Sequence, residues 1–167
     1  MIVSNSSGLI HLTKLSKASY LRSYAEQVMV PQAVHSEVVE VGKREGYPEA
    51  TVIEGFERDG WITVRPLRAK SKRMALFLAE TLGIGEAESI ALANDLEVPL
   101  LIDDDQGRRL AKYYRVDTVS TLGIMLEFLL SSKISKEEYV ANVRRYSSQA
   151  WIGADVVQEF LRRGELV

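Results

Sequence analysis

The segment Leu100-Leu101-Ile102-Asp103-Asp104-Asp105-Gln106-Gly107-Arg108-Arg109 constrains this chain most: an apolar run passes directly into three consecutive carboxylates and then opens a helix. The run reads as a buried strand, and acids at its carboxyl end stand where open α/β sheets bind their ligands. Three adjacent negative charges repel one another. A divalent cation, a cationic partner or free contact with water offsets that repulsion. Two further polar segments accompany it: Gly85-Glu86-Ala87-Glu88 just upstream, and Val3-Ser4-Asn5-Ser6-Ser7 at the start of the chain. Together they sketch one acidic pocket assembled from distant segments.

The remaining sequence alternates short β-type runs with helical patterns, as crossover units of a parallel sheet do. Strands are expected at 1–4, 27–30, 61–64, 99–102 and 116–118. Helical segments are expected at 8–15, 17–25, 48–58, 71–81, 85–95, 105–114, 118–130, 135–146 and 153–163. Pro31 opens another helix at a natural first position, with Val34, Val38 and Val41 on one face. Ser135 is the expected N-cap of its helix, with Glu138 at the capping-box position. No linker divides these elements, so 1–167 reads as a single domain in which 135–167 forms a C-terminal helical extension.

A chain of 167 residues, 46% hydrophobic and 26% charged, can bury a substantial core. There is no cysteine, hence no disulfide framework, thiolate metal site or cysteine nucleophile. Neither a signal-like start nor a long uninterrupted apolar helix is present, and a cytoplasmic location without membrane contact is expected. The net charge of −2 argues against a DNA-coating protein but permits a nucleic-acid enzyme whose acidic site and basic rim cancel. The candidate rim is Arg65 to Arg73, five cations in nine residues. From it Arg68, Lys70, Lys72 and Arg73, together with Arg108, are the expected RNA contacts. No GxGxxG, P-loop or nucleophile-elbow pattern follows any strand, which removes dinucleotide, triphosphate and serine-hydrolase sites.

Each acid also has a plain structural explanation. Glu37 flanks an apolar helix stripe, Glu86 and Glu88 fall in a first helical turn where the macrodipole favours carboxylates, and one of the three aspartates serves as an N-cap. Residues i and i+2 on a helix face different ways, so only one of Glu86 and Glu88 can point into the pocket. Ile84, Ala91 and Leu92 place Glu88 nearer the buried side, which makes Glu88 the expected ligand. Glu37, Glu88 and Asp104 can then supply a metal-binding set if the crossovers bring their segments together.

In order and spacing, these motifs resemble the PIN-domain family over nearly the whole chain, within a PIN-like branch related to the toxin ribonucleases of toxin–antitoxin systems. The resemblance rests on Val3 to Ile10, Val30 to Val38, Leu82 to Ala93, Leu101 to Arg108 and Ser120 to Gly123. It implies an α/β fold, a Rossmann-like three-layer α/β/α sandwich around a central parallel sheet. It also implies a ribonuclease using Mg²⁺ or Mn²⁺ for metal-assisted hydrolysis of RNA, with an antitoxin protein as a further partner. Carried over, the family's acids fall at Asn5, Glu37, Glu88 and Asp104. Glu37, Glu88 and Asp104 are then catalytic, and Asn5, Glu88, Asp103 and Asp104 hold the metal. Glu86 and Asp105 form a secondary acidic pocket, with Ser6 and Thr121 as pocket hydroxyls. Asn5 departs from the usual Asp: its amide oxygen can ligate a hard cation but removes a full negative charge.

Two other readings compete. A PIN fold weakened at Asn5 could serve as a nucleic-acid- or protein-binding module. The DDDQG run superficially resembles the DxDG signature of haloacid-dehalogenase-type phosphatases, but it comes after residue 100 and Gln106 intervenes. Near the chain end, Trp151, Ile152, Val156, Val157, Phe160 and Leu161 form an expected apolar surface, and a homodimer is its default closed solution.

Overall fold

A computed structural model describes residues 1–167. Five parallel strands, β1 (Ile2–Ser4), β2 (Val28–Val30), β3 (Ile62–Val64), β4 (Leu100–Leu101) and β5 (Thr118–Val119), form one sheet in the order β3-β2-β1-β4-β5. The central strand β1 pairs with β2 through Ile2 and Val28 and with β4 through Val3 and Leu100. The strand order therefore reverses between β1 and β4. That topological switch point opens a crevice beyond their carboxyl ends.

Alternation along each strand divides the core into two layers. Ile2, Val28, Val30 and Leu101 face the larger cluster, while Val3, Met29, Leu100 and Ile102 face the smaller one. Helices α1 (Ser6–Lys14), α2 (Ala18–Tyr24) and α5 (Pro48–Arg58) cover the first face through Leu9, Leu12, Leu21 and Ile53. They are joined there by α9 (Thr121–Leu130), α10 (Lys136–Ser147) and α11 (Ala154–Glu165). The second face is covered by α6 (Ala69–Leu78), α7 (Ile84–Leu96) and α8 (Asp105–Tyr113). The result is the three-layer α/β/α sandwich that the family resemblance implied, built on the parallel sheet expected from the alternation. No helix is long and apolar enough to cross a membrane.

Four local expectations change. The helix after Pro31 is not uniform: α3 (Gln32–His35) passes into a π-helical turn, Ser36–Val41, before α4 (Gly42–Arg44). The wider turn rotates the buried face, so Val34, Val38 and Val39 are buried and Val41 is only half-buried. Strand β5 starts at Thr118 because Val116 is still tied to α8 through its N–H to Ala111 O, after Arg115 turns the chain at φ 59°. The next helix consequently begins at Thr121 behind the Ser120 cap. Finally, Ile152, Val156, Val157, Phe160 and Leu161 are not an open surface. They pack against the larger core, with Tyr139 Oη donating to Phe160 O at 2.7 Å, and Trp151 alone of that group stands free.

Candidate active site

At the switch point several helices begin together, and each start is capped by a residue that left a strand. Asn5 follows β1 and caps α1, its Oδ1 accepting from Gly8 N at 3.2 Å and from Ser7 Oγ at 3.0 Å. Gly8 is required there, since a Cβ would stand 2.6 Å from Leu101 Cγ. Asp104 caps α8, accepting from Gly107 N at 2.6 Å. Ser120 caps α9, accepting from Gly123 N at 3.0 Å. Converging helix N-termini bring partial positive charge and free N–H groups to one edge of the sheet, which favours anions there. Neutral Asn5 and charged Asp104 thus serve the same local function, and their oxygens are shared between capping and the crevice.

The two glutamates of α7 separate in the opposite sense to the sequence expectation. The helix begins behind Gly83, so Glu86 occupies its third position, with its carboxylate turned back to the Gly83 N–H. There Glu86 is half-buried, and its carboxyl is pushed above the usual glutamate range by burial and by the negative charges of Asp104 and Glu37. Glu88, two residues further and so on another face of the helix, instead accepts from Ala33 N at 3.0 Å. It supplies the cap that Pro31, with no polar side chain, cannot give α3. Glu86, rather than Glu88, is therefore the α7 carboxylate that shares the crevice with Asp104 and Glu37.

Glu37 arrives from the π-helical turn. Its Oε2 accepts from Ser6 Oγ at 2.6 Å and rests against Gly85, where a Cβ would lie 3.2 Å away. Ser6 thus orients this carboxylate, and the backbone of α7 approaches it closely. The exposed Asp105 pairs instead with the Arg108 guanidinium at the mouth.

Asp103 has a different environment from its neighbours. Its oxygens accept from Thr121 N at 2.7 Å, Thr121 Oγ1 at 2.8 Å and the His11 Nδ1–H at 3.2 Å. Burial alone would raise this carboxyl, but the bonds from His11 and Thr121 outweigh it and hold Asp103 below the usual aspartate value. The Tyr146 phenol, edge-on to the His11 ring at 5.1 Å, is driven strongly upward by burial and by the Asp103 charge. Asp103 is thus committed to joining β4, α1, α9 and α10. No local spacing signals the pairing of His11 with Asp103, which lies 92 residues away along the chain.

The basic run does not form one rim. Arg68 lies near Asp95 at 3.5 Å, towards the far end of α7, and Lys70 lines a groove with Glu97 and Pro99 at the opposite edge of the sheet. Lys72 stands over the groove of Glu88, and Arg73 is exposed on α6. Arg108 alone of the five lies beside the carboxylates, in a cavity of about 190 Å³. The cations nearest to it are Arg109 and Lys112 on α8, which the charge run at 65–73 overshadowed in the sequence.

Carboxylate oxygens are the donors that a hard divalent cation takes. Glu37, Glu86 and Asp104 offer hard oxygens, and the unrelieved repulsion on Glu86 is what such a cation would neutralise. As the side chains stand, no group of three or more His, Asp or Glu residues that could hold a metal ion is present.

No curated protein sequence matches the chain. A family model described as DUF3368, PIN domain, matches residues 1–165, almost the full length. The chain belongs to the PIN-domain family.

Proposed function

We propose that this protein is a divalent-metal-dependent nuclease that hydrolyses RNA phosphodiester bonds, acting through Glu37, Glu86 and Asp104. The observation that carries this reading is the meeting of Glu37, Glu86 and Asp104 from three separate elements at the switch-point crevice, where burial and the two like charges raise Glu86. A fold with no use for that repulsion would have separated the carboxylates or paired them with cations. The family's nuclease-like character points the same way. Mg²⁺ or Mn²⁺ bound there would polarise the phosphate and lower the pKa of water. The chain's own groups divide the remaining work. Ser6 fixes the Glu37 carboxylate, Gly83 N–H holds Glu86, and the N-terminus of α8 positions Asp104.

The finer reading, a toxin ribonuclease acting in the cytoplasm and opposed by an antitoxin protein, rests on the family resemblance. Self-association as a homodimer has lost most of its motivating surface, leaving Trp151 exposed. A second functional reading is favoured by one observation: Asn5 brings no charge and its Oδ1 is already engaged by Gly8 and Ser7. On that reading the protein is a catalytically weakened binding module.

Calorimetric titration with Mn²⁺ and a cleavage assay on single-stranded RNA, with and without chelator, separate the two. Nuclease function requires both divalent binding and chelator-sensitive cleavage, lost together in Glu86→Gln. RNA binding without either result leaves the binding module.

A further inference from the structure

The cavity beside the proposed active site is not lined by acids alone. Asp103, Asp104 and Asp105 form one wall, while Tyr146, Phe160 and Trp151, brought by α10, α11 and their connection, contribute much of the other. Its volume of about 190 Å³ is below the range of about 300–1,000 Å³ that encloses drug-sized ligands. That space suits one planar heterocycle with its attached chain left outside. Carboxylate acceptors and the Arg108 donor face the same space, so both kinds of edge group on a nucleobase find partners.

Trp151 is fully exposed, at 107% of its reference area, although its neighbours Ile152 and Val156 pack on the core. A large aromatic ring held free at the rim of an aromatic and charged cavity is a ready stacking platform. A second groove begins where this cavity ends. It shares Asp105 and Arg108 with the first and continues past Arg109 and Lys112 on the outer face of α8. Arg109 and Lys112 are three residues apart and therefore neighbours on one helix face. The cavity takes a flat polar ring and the groove takes successive negative charges. Asp104 lines the cavity, and the groove starts at its neighbour Asp105.

We propose that Trp151 and the Tyr146–Phe160 cavity receive one unstacked base of a single-stranded RNA, with the adjoining phosphates running along Arg108, Arg109 and Lys112. This deepens the nuclease reading and rests on it for the choice of nucleic acid. It assigns substrate selection to the C-terminal helices: a base inside a duplex cannot enter the cavity, whereas a single strand can present one without unpairing cost.

The test is binding in chelator, where no cleavage occurs. Trp61 is buried and hydrogen-bonded to Ala25 O, so quenching of tryptophan emission on adding RNA reports on Trp151. A single-stranded RNA of about ten nucleotides should quench, and its duplex and its abasic counterpart should not. By fluorescence anisotropy of labelled RNA, Trp151→Ala should bind about 10-fold more weakly, the loss expected for one stacked base. Trp151→Phe should keep most of the affinity while losing the quench. Arg109→Ala and Lys112→Ala should each reduce the slope of log K against log salt by roughly 0.7. Equal affinity for single-stranded, duplex and abasic RNA, or an unchanged affinity in Trp151→Ala, overturns the proposal. So does an amphipathic peptide that quenches Trp151 when RNA does not. Cleavage with Mn²⁺ but without quenching rejects the base cavity and leaves the nuclease. Quenching without cleavage rejects the nuclease and leaves the cavity.

Discussion

Asp103 and Glu86 lie at the same edge of the sheet, both withdrawn from water, yet their carboxyls move in opposite directions. Asp103, in the corner between β4 and α9, meets two donors from Thr121 and one from His11, and its charge is held. Glu86, at the start of α7, meets one backbone donor and two other carboxylates, and its charge is resisted. Burial acts on both in the same sense. What separates them is the supply of donors, which distinguishes an acid that binds the fold together from one left with unsatisfied charge for a ligand.

The largest effect expected from this contrast is on stability at the satisfied corner. Asp103→Ala strands the Thr121 N–H and hydroxyl and the His11 ring, and should cost about 3 kcal/mol in urea unfolding, with an unchanged m-value. A loss well under 1 kcal/mol would show that Asp103 is not the hub described here. Glu86→Gln should move the other way. It removes a resisted charge, so the metal-free protein should melt later, while Mn²⁺ affinity falls by about 10-fold or more and cleavage is lost. If Glu86→Gln melts earlier and binds Mn²⁺ normally, the carboxylate is only a helix cap.

Glu88 sharpens the same comparison from two residues away. Glu88→Gln keeps an oxygen for Ala33 N and should leave Mn²⁺ binding near its native value, and Glu88→Ala should cost about 1 kcal/mol through the lost cap. Stronger metal loss in Glu88→Gln than in Glu86→Gln, by calorimetry, would reverse the assignment. At Asn5, Asp is as good a cap as Asn, so Asn5→Asp should change metal-free stability by less than about 1 kcal/mol. Its added charge should strengthen Mn²⁺ binding and raise cleavage. A variant with weaker Mn²⁺ affinity would place Asn5 outside the metal shell.

The smallest effect is in the pH profile of metal-free stability. Asp103, held below its ordinary value, contributes stability that is present above the usual aspartate range and is lost as pH falls through its folded value. Glu86, held above its ordinary value, contributes stability that is fully present below the usual glutamate range and is lost as pH rises through its folded value. Asp103→Asn should flatten the acid-side loss and Glu86→Gln the loss on the rising side, in melts collected across the carboxylate range. The two changes should appear on opposite limbs, and identical profiles for both variants would remove the contrast.

Much of the fold was legible in the sequence, because its determinants are local. Short continuous apolar runs mark β1 to β4, and the expected N-caps at Ser135 and at one of the three aspartates are realised at Ser135 and Asp104, each bonding a backbone N–H three residues on, whereas the caps at Asn5 and Ser120 were not read from the chain. The chain alone also determined that acids would follow β4 at the edge where a parallel sheet binds ligands. Tertiary structure decided which of them come together. The α7 start behind Gly83 leaves Glu86 near Asp104 and Glu37 and sends Glu88 to Ala33 N, and a π-helical turn set the direction of Glu37. The reach of Asp103 to His11 and Thr121, and of Tyr146, Trp151 and Phe160 to the same crevice, depended on packing among segments far apart in sequence. Local spacing encodes caps and periodic faces, since neighbouring residues satisfy them. Whether a carboxylate ends among donors or among other carboxylates is decided only when distant elements pack, because the charges that decide it come from other parts of the chain.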